Sequence, residues 1–142
     1  MTNQNPTGSS SLQSWAITLV RLVVGIVFLV HGSQKLFVFG FHGVAGFFGQ
    51  VGVPLPAITS VVVTLVEFLG GAALLLGLCT RVAALLLACD MAGAILVVHL
   101  KGGFFLPMGY EFALTLLVAN LALLLAGSGS LALDNVIGKR RV

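Results

Sequence analysis

Four stretches of this chain, roughly 15–37, 58–78, 81–100 and 110–126, are apolar over most of their length and nearly free of charge. A helix needs about 20 mostly apolar residues to cross a bilayer, so each stretch is a candidate span, the last one short. Only 8% of the 142 residues are charged and 58% are hydrophobic, where an average soluble domain carries about 25% charged residues. Mean hydropathy is +1.14. A soluble globular domain, a disordered chain, a disulfide scaffold and a conventional nucleic-acid binder are all excluded. Alternating strands are absent, which excludes a β-barrel. The expected fold is an all-α integral membrane protein, one domain over 1–142, built as an antiparallel four-transmembrane-helix bundle with the lipid bilayer as its first partner.

The connections carry the next layer of information. Residues 1–14 are polar and uncharged, which predicts a flexible tail and supplies no basic leader for a signal peptide. Between helices 1 and 2, residues 38–57 hold five glycines, four phenylalanines and no formal charge, so this loop is expected in the membrane interface. Within it Val44, Phe47, Phe48 and Val51 follow helical spacing and Gly52-Val53-Pro54 closes the run, predicting a short interfacial helix. Thr80 is a candidate cap for helix 3, and 127–142 is expected as a cytoplasmic tail. Arg81, Lys139, Arg140 and Arg141 lie on one side against Lys35 and Lys101 on the other. By the positive-inside rule that bias places both termini in the cytoplasm.

Ionisable residues inside spans are the informative ones, because a charge in hydrocarbon costs at least ~2.5–3.5 kcal/mol. Arg21, Glu67 and Asp90 qualify. At 1.5 Å per residue they lie about 9, 16 and 13 Å from the cytoplasmic helix ends, within reach of one guanidinium, so a buried charge network of Arg21, Glu67 and Asp90 is expected. Two readings stay open. The charges hold the bundle together, or one cation against two carboxylates leaves room for a proton that can be relayed. Cys79 and Cys89 are about 12 Å or more apart along the fold, too far for a disulfide, and read as small apolar packers.

His31 and Lys35 are four residues apart on helix 1, hence on one face. With Glu67 they form the candidate catalytic set: His31 and Lys35 to polarise a carbonyl oxygen, Glu67 to exchange a proton. Phe28, Phe37, Phe47 and Phe48 are the candidate residues to cover a ring. His31 and His99 stand near one level, but two histidines are a thin basis for haem, and no metal site is expected. Glu111 is read as a partner for Lys101 or for the positive N-terminus of helix 4.

Several residues together resemble the DoxX family of small membrane proteins: His31-Gly32-x-x-Lys35, Gly52-x-Pro54, Glu67-x-x-Gly70-Gly71, Gly77-Leu78-x-Thr80-Arg81-x-Ala83-Ala84, Lys101-Gly-Gly-Phe-Phe, and Gly127-x-Gly129 followed by Leu133-Asp134. The resemblance covers about 15–135. It implies a four-helix protein of the bacterial cytoplasmic (inner) membrane, labelled an oxidoreductase, with relatives that include the membrane subunit of a thiosulfate:quinone oxidoreductase and others linked to oxidative or thiol stress. The expectation is therefore a membrane subunit of an oxidoreductase system, with quinone as its candidate ligand and soluble redox enzymes as candidate partners, as a single chain or a homo-oligomer. The chain has no flavin fingerprint, no CxxC and no nucleotide loop. The alternative is a non-enzymatic membrane carrier or scaffold.

Overall fold

The computed structural model describes residues 6–139. Among them there is no strand. The chain runs as α1 (Pro6–Ser33), a π-helical stretch Gln34–Phe39, α2 (Gly40–Val51), α3 (Pro56–Leu76), α4 (Thr80–Gly93), a second π-helical stretch Ala94–His99 closed by a 3₁₀ turn Leu100–Gly102, α5 (Glu111–Ala126) and α6 (Leu133–Lys139). Three helical segments are long and apolar enough to cross a membrane: Ser10–Val51, Pro56–Leu76 and Thr80–Gly102. α5 has 16 residues, about 24 Å of helix at 1.5 Å per residue, and is too short to count with them by length alone.

Packing is set by where glycine lets backbones meet. α1 lies along α3 through its most extensive contact, α4 along α5, and α3 joins the two pairs. A Cβ built on Gly32 would sit 2.4 Å from the backbone nitrogen of Phe68, and one on Gly71 would sit 2.4 Å from that of Leu29. These two positions are where α1 and α3 touch backbone to backbone, in the manner of small-residue contacts between membrane helices. Gly71→Ala is expected to lower stability by about 1–3 kcal/mol, since the obstruction is main chain and must be relieved by moving a helix. Thermal unfolding in detergent checks this, with Gly93→Ala as a neutral control because nothing lies within 4 Å of a Cβ there. The core between the helices is Val24, Phe28, Leu74, Leu87, Met91, Leu116 and Leu123 with small alanines.

Three expectations are corrected. The tail expected over 1–14 is helical from Pro6, a residue suited to the first turn; residues 1–5 lie outside the described residues. α1 is tied down there, with Ser14 Oγ 2.7 Å from Ser130 Oγ and the Thr18 hydroxyl donating to the Ser130 carbonyl at 2.9 Å. The expected end of helix 1 at Phe37 is replaced by a helix that changes pitch at Gln34 and runs on into α2. The 127–142 tail contains α6, and Arg140 and Arg141 of the basic cluster lie outside the described residues, as does the Lys139 side chain.

α6 docks on the turn between α3 and α4. Gly77, at φ +63°, ends α3, and the Asp134 amide donates to the Gly77 carbonyl at 2.9 Å. The Asp134 carboxylate accepts from the amides of Cys79 at 2.7 Å and Thr80 at 2.9 Å, satisfying donors at the start of α4 that have no partner within the helix. The cap is therefore the Asp134 carboxylate rather than the Thr80 side chain. Burial works to raise the Asp134 carboxyl, but the amides of Thr80 and Cys79 and the Arg21 charge together hold it below the usual carboxylate range. A carboxyl depressed in the folded state stabilises above its unfolded value, about 4, and loses that contribution as pH falls through the folded one. Asp134→Asn should cost about 1 kcal/mol at neutral pH and flatten the fall in stability below about pH 4, read from thermal midpoints across a pH series.

Candidate functional site

A cavity of about 1030 Å³ opens among α2, α3, α4 and the two π-helical stretches. Its walls are apolar, with Val44, Phe47, Phe48, Val63, Met91 and Val97 among them. Lys35 and Glu67 meet at it, Nζ to Oε2 at 2.5 Å, with Glu67 almost wholly buried and Lys35 partly so. Asp90 interacts with both Glu67 and Lys35 and keeps a buried oxygen, Oδ2, without a hydrogen-bond partner. One lysine thus faces two carboxyls. Each of the three comes from a different helical segment, so the group forms only when the π-helical stretch Gln34–Phe39, α3 and α4 are packed.

The π-helical stretches explain why Lys35 is here and His31 is not. A π-turn closes i→i+5 hydrogen bonds and so rotates the residues beyond it relative to an α-helix, a feature frequent at functional sites. It starts at Gln34, between the two residues, and breaks the four-residue spacing that would have put them on one face. Gln34, Lys35, Val38 and Phe39 line the cavity. His31 does not; its Nδ1 is 2.9 Å from the Val27 carbonyl of its own helix and its ring centroid 6.3 Å from that of Phe112 on α5. The second stretch, Ala94–His99, does the same for α4 and brings Ala94, Val97, Val98 and His99 to the opposite wall.

Arg21 is also placed elsewhere than expected. It is 1% exposed and donates to the carbonyls of Leu74 and of Leu75, the latter at 3.1 Å, and to that of Leu131 at 3.0 Å. The first two are carbonyls at the C-terminal end of α3, where a cation is favoured by the helix dipole, and Asp134 adds its charge nearby. The structure does not join Arg21 to Glu67 or Asp90. Of the four phenylalanines expected around a ring, Phe47 and Phe48 line the cavity. Phe28 is buried in the core, and Phe37 packs edge-on to Phe68, centroids 5.9 Å apart, outside the cavity.

Several lining residues were not legible as such. His99 and Cys89 belong to the wall, and both cysteines are exposed thiols rather than packed ones. Their only signal in the sequence is position, nine residues after Asp90 and one before it, and the first is obscured by the change of pitch. Glu111 accepts from the Leu106 amide at 2.8 Å in the first turn of α5; no ion pair with Lys101 is present among the described residues. Among these residues no group of three or more His, Cys, Asp or Glu is arranged to hold a metal ion.

Known proteins resemble this chain over most of its length and of their own. A Bacillus subtilis protein named "Putative oxidoreductase CatD" is 40% identical over 122 residues, covering 85% of this chain and 86% of its own. An uncharacterized membrane protein of Mycobacterium tuberculosis, Rv3486, is 35% identical over 136 residues, 88% of this chain and 83% of its own. The inner membrane protein YphA of Escherichia coli is 26% identical over 124 residues, 83% and 87%. No solved structure matches significantly. The DoxX family pattern matches residues 16–100, which takes in Lys35, Glu67 and Asp90 together with the π-turn and the glycine contacts that assemble them. With that match and these relatives, the chain belongs to the DoxX family.

Proposed function

We propose that this protein is the membrane subunit of an oxidoreductase system and binds a quinone-type ring in the cavity. The observation that carries the reading is the Lys35–Glu67 pair with Asp90 beside it, ionisable groups held at membrane depth on an otherwise apolar cavity. Ionisable residues kept in such a place mark functional sites by default, since structure alone would be served by apolar side chains. The name carried by the B. subtilis relative supports the same class.

The residues present fit such a ring. Phe47, Phe48 and the valines supply flat apolar contact, and Asp90 Oδ2 offers an uncommitted polar atom. A quinone would supply two-electron, two-proton chemistry. The chain's own part is to hold the protons. Two carboxyls beside each other are both acceptors, and one proton between Glu67 and Asp90 provides the missing donor. Lys35 balances the remaining charge and orients Glu67, and the apolar walls keep water from the pair. Electrons come from soluble partners, in a setting of thiol or oxidative-stress chemistry. In the membrane α5 makes a fourth crossing beside α4, and the basic residues near the α3–α4 turn and the C-terminus put both termini in the cytoplasm.

Purification in mild detergent, with native mass spectrometry of the product, tests the reading. Wild-type protein should carry a lipophilic ring compound, and Glu67→Gln, folded, should carry less. Substrate flux in vesicles with no bound ring compound would point instead to a carrier, and partner recruitment alone to a scaffold.

A further inference from the structure

A second cavity, of about 630 Å³, opens near the start of α4, between the N-terminal part of α1, the chain that follows α5, and α6. Its wall is largely neutral and polar, with Ser10, Gln13, Ser14, Ser128 and Asn135. Two charged residues reach it, Asp134 and Arg81. The carboxylate is already engaged, since it accepts from the amides of Cys79 and Thr80 and lies in the field of the buried Arg21. The guanidinium is not. Arg81 donates to the Leu125 carbonyl at 3.3 Å, which leaves most of its N–H groups uncommitted. No carboxylate pairs with it, because Lys35–Glu67 is the one ion pair among the described residues. Arg21, Asp134 and Arg81 together leave this end with an excess of positive charge. The level is that of a membrane boundary. Trp15, next to the lining residue Ser14, is 47% exposed, as an interfacial indole is, and an apolar span begins at Thr80. Val82 and Leu125, 59% and 79% exposed, carry an apolar surface away from the edge of the cavity.

We infer that this cavity seats the head group of an anionic phospholipid whose head is a neutral polyol, as in phosphatidylglycerol. The phosphodiester lies on Arg81, the head-group hydroxyls among the serine, glutamine and asparagine side chains, and the acyl chains along Val82 and Leu125. A guanidinium takes phosphate oxygens through paired N–H groups, and basic pockets between membrane helices hold phospholipid head groups in this way. A single phosphodiester charge also offsets the positive excess. A head that carries an ammonium would bring a further cation to this end, where the one carboxylate is already committed. A soluble phosphodiester would satisfy Arg81 but leave the apolar edge uncovered. The site is independent of the ring-binding cavity and stands whether or not that cavity takes a quinone.

Native mass spectrometry of the full chain, delipidated in neutral detergent and titrated with defined lipids, tests this. The probes are dimyristoyl phosphatidylglycerol, dimyristoyl phosphatidylethanolamine and the chain-free glycerophosphoglycerol. Wild-type protein should bind phosphatidylglycerol about tenfold tighter than phosphatidylethanolamine, and the chain-free compound far more weakly than either. Arg81→Gln should lose that preference, while the double variant Arg140→Gln with Arg141→Gln should keep most of it. Equal binding of the two lipids, tighter binding of phosphatidylethanolamine, or no binding of either overturns the inference. So does a preference that survives in folded Arg81→Gln or disappears only in the double variant. Chain-free glycerophosphoglycerol binding as tightly as the lipid would make this a site for soluble phosphodiesters instead. Should Arg81→Gln not fold, crosslinking of wild-type protein with a phosphatidylglycerol bearing a diazirine in its head group decides. Adducts within 79–82 and 126–129 are expected, and adducts confined to other segments overturn the site.

Discussion

Lys35→Met is expected to destabilise the folded protein by about 3–5 kcal/mol, more than Glu67→Gln does, although the two residues form one ion pair. Removing the lysine strands two carboxyls against each other, because Asp90 interacts with Glu67 as well as with Lys35. Removing the Glu67 charge leaves Lys35 with Asp90 as a substitute, so the loss should be about 1–2 kcal/mol. Adding Asp90→Asn to Lys35→Met should recover much of the damage, a coupling that a double-mutant cycle in detergent measures. Equal losses for the two single variants, adding independently of Asp90, would mean that the three groups do not act as one unit.

Arg21→Met carries the other large effect, about 3–5 kcal/mol, by a different route. Its guanidinium is fully buried and holds carbonyls of Leu74, Leu75 and Leu131. Each buried carbonyl left without a donor costs about 1–3 kcal/mol, and some will find a water near the helix end. The loss should be independent of Glu67 and Asp90, so Arg21→Met with Glu67→Gln should be additive. It should instead couple to Asp134→Asn, since Asp134 lies in the Arg21 field and caps α4 next to the same turn. Chemical denaturation of the single and double variants distinguishes the two patterns.

The helices and the individual charged residues were legible in the sequence, and how the charges pair was not. Long apolar runs with glycine and proline punctuation fix where helices lie, because in hydrocarbon the backbone has few other ways to satisfy itself. Lys35, Glu67, Phe47 and Phe48 stand out as residues costly or bulky for their place, and all four reach the cavity. His31 does not, because face arguments assume 3.6 residues per turn and the helix changes pitch at Gln34. Arg21 was misplaced for another reason. Pairing charge with charge overlooks that a helix end is itself a cluster of acceptors, and the left-handed Gly77 that ends α3 leaves its last carbonyls facing Arg21. Asp134 was visible only as part of a motif, since a cap supplied from 55 residues away has no local signature.

The central claim is that the Lys35–Glu67–Asp90 cavity takes a ring ligand, and photolabelling tests it most directly. Wild-type protein in lipid nanodiscs would be illuminated with an aryl-azide naphthoquinone and digested, and the labelled peptides sequenced by mass spectrometry. Adducts concentrated in 34–48 and 89–99, and suppressed by excess unlabelled quinone, are the expected result. Label spread along the lipid-facing surfaces of the helices, or unchanged by the competitor, would contradict it.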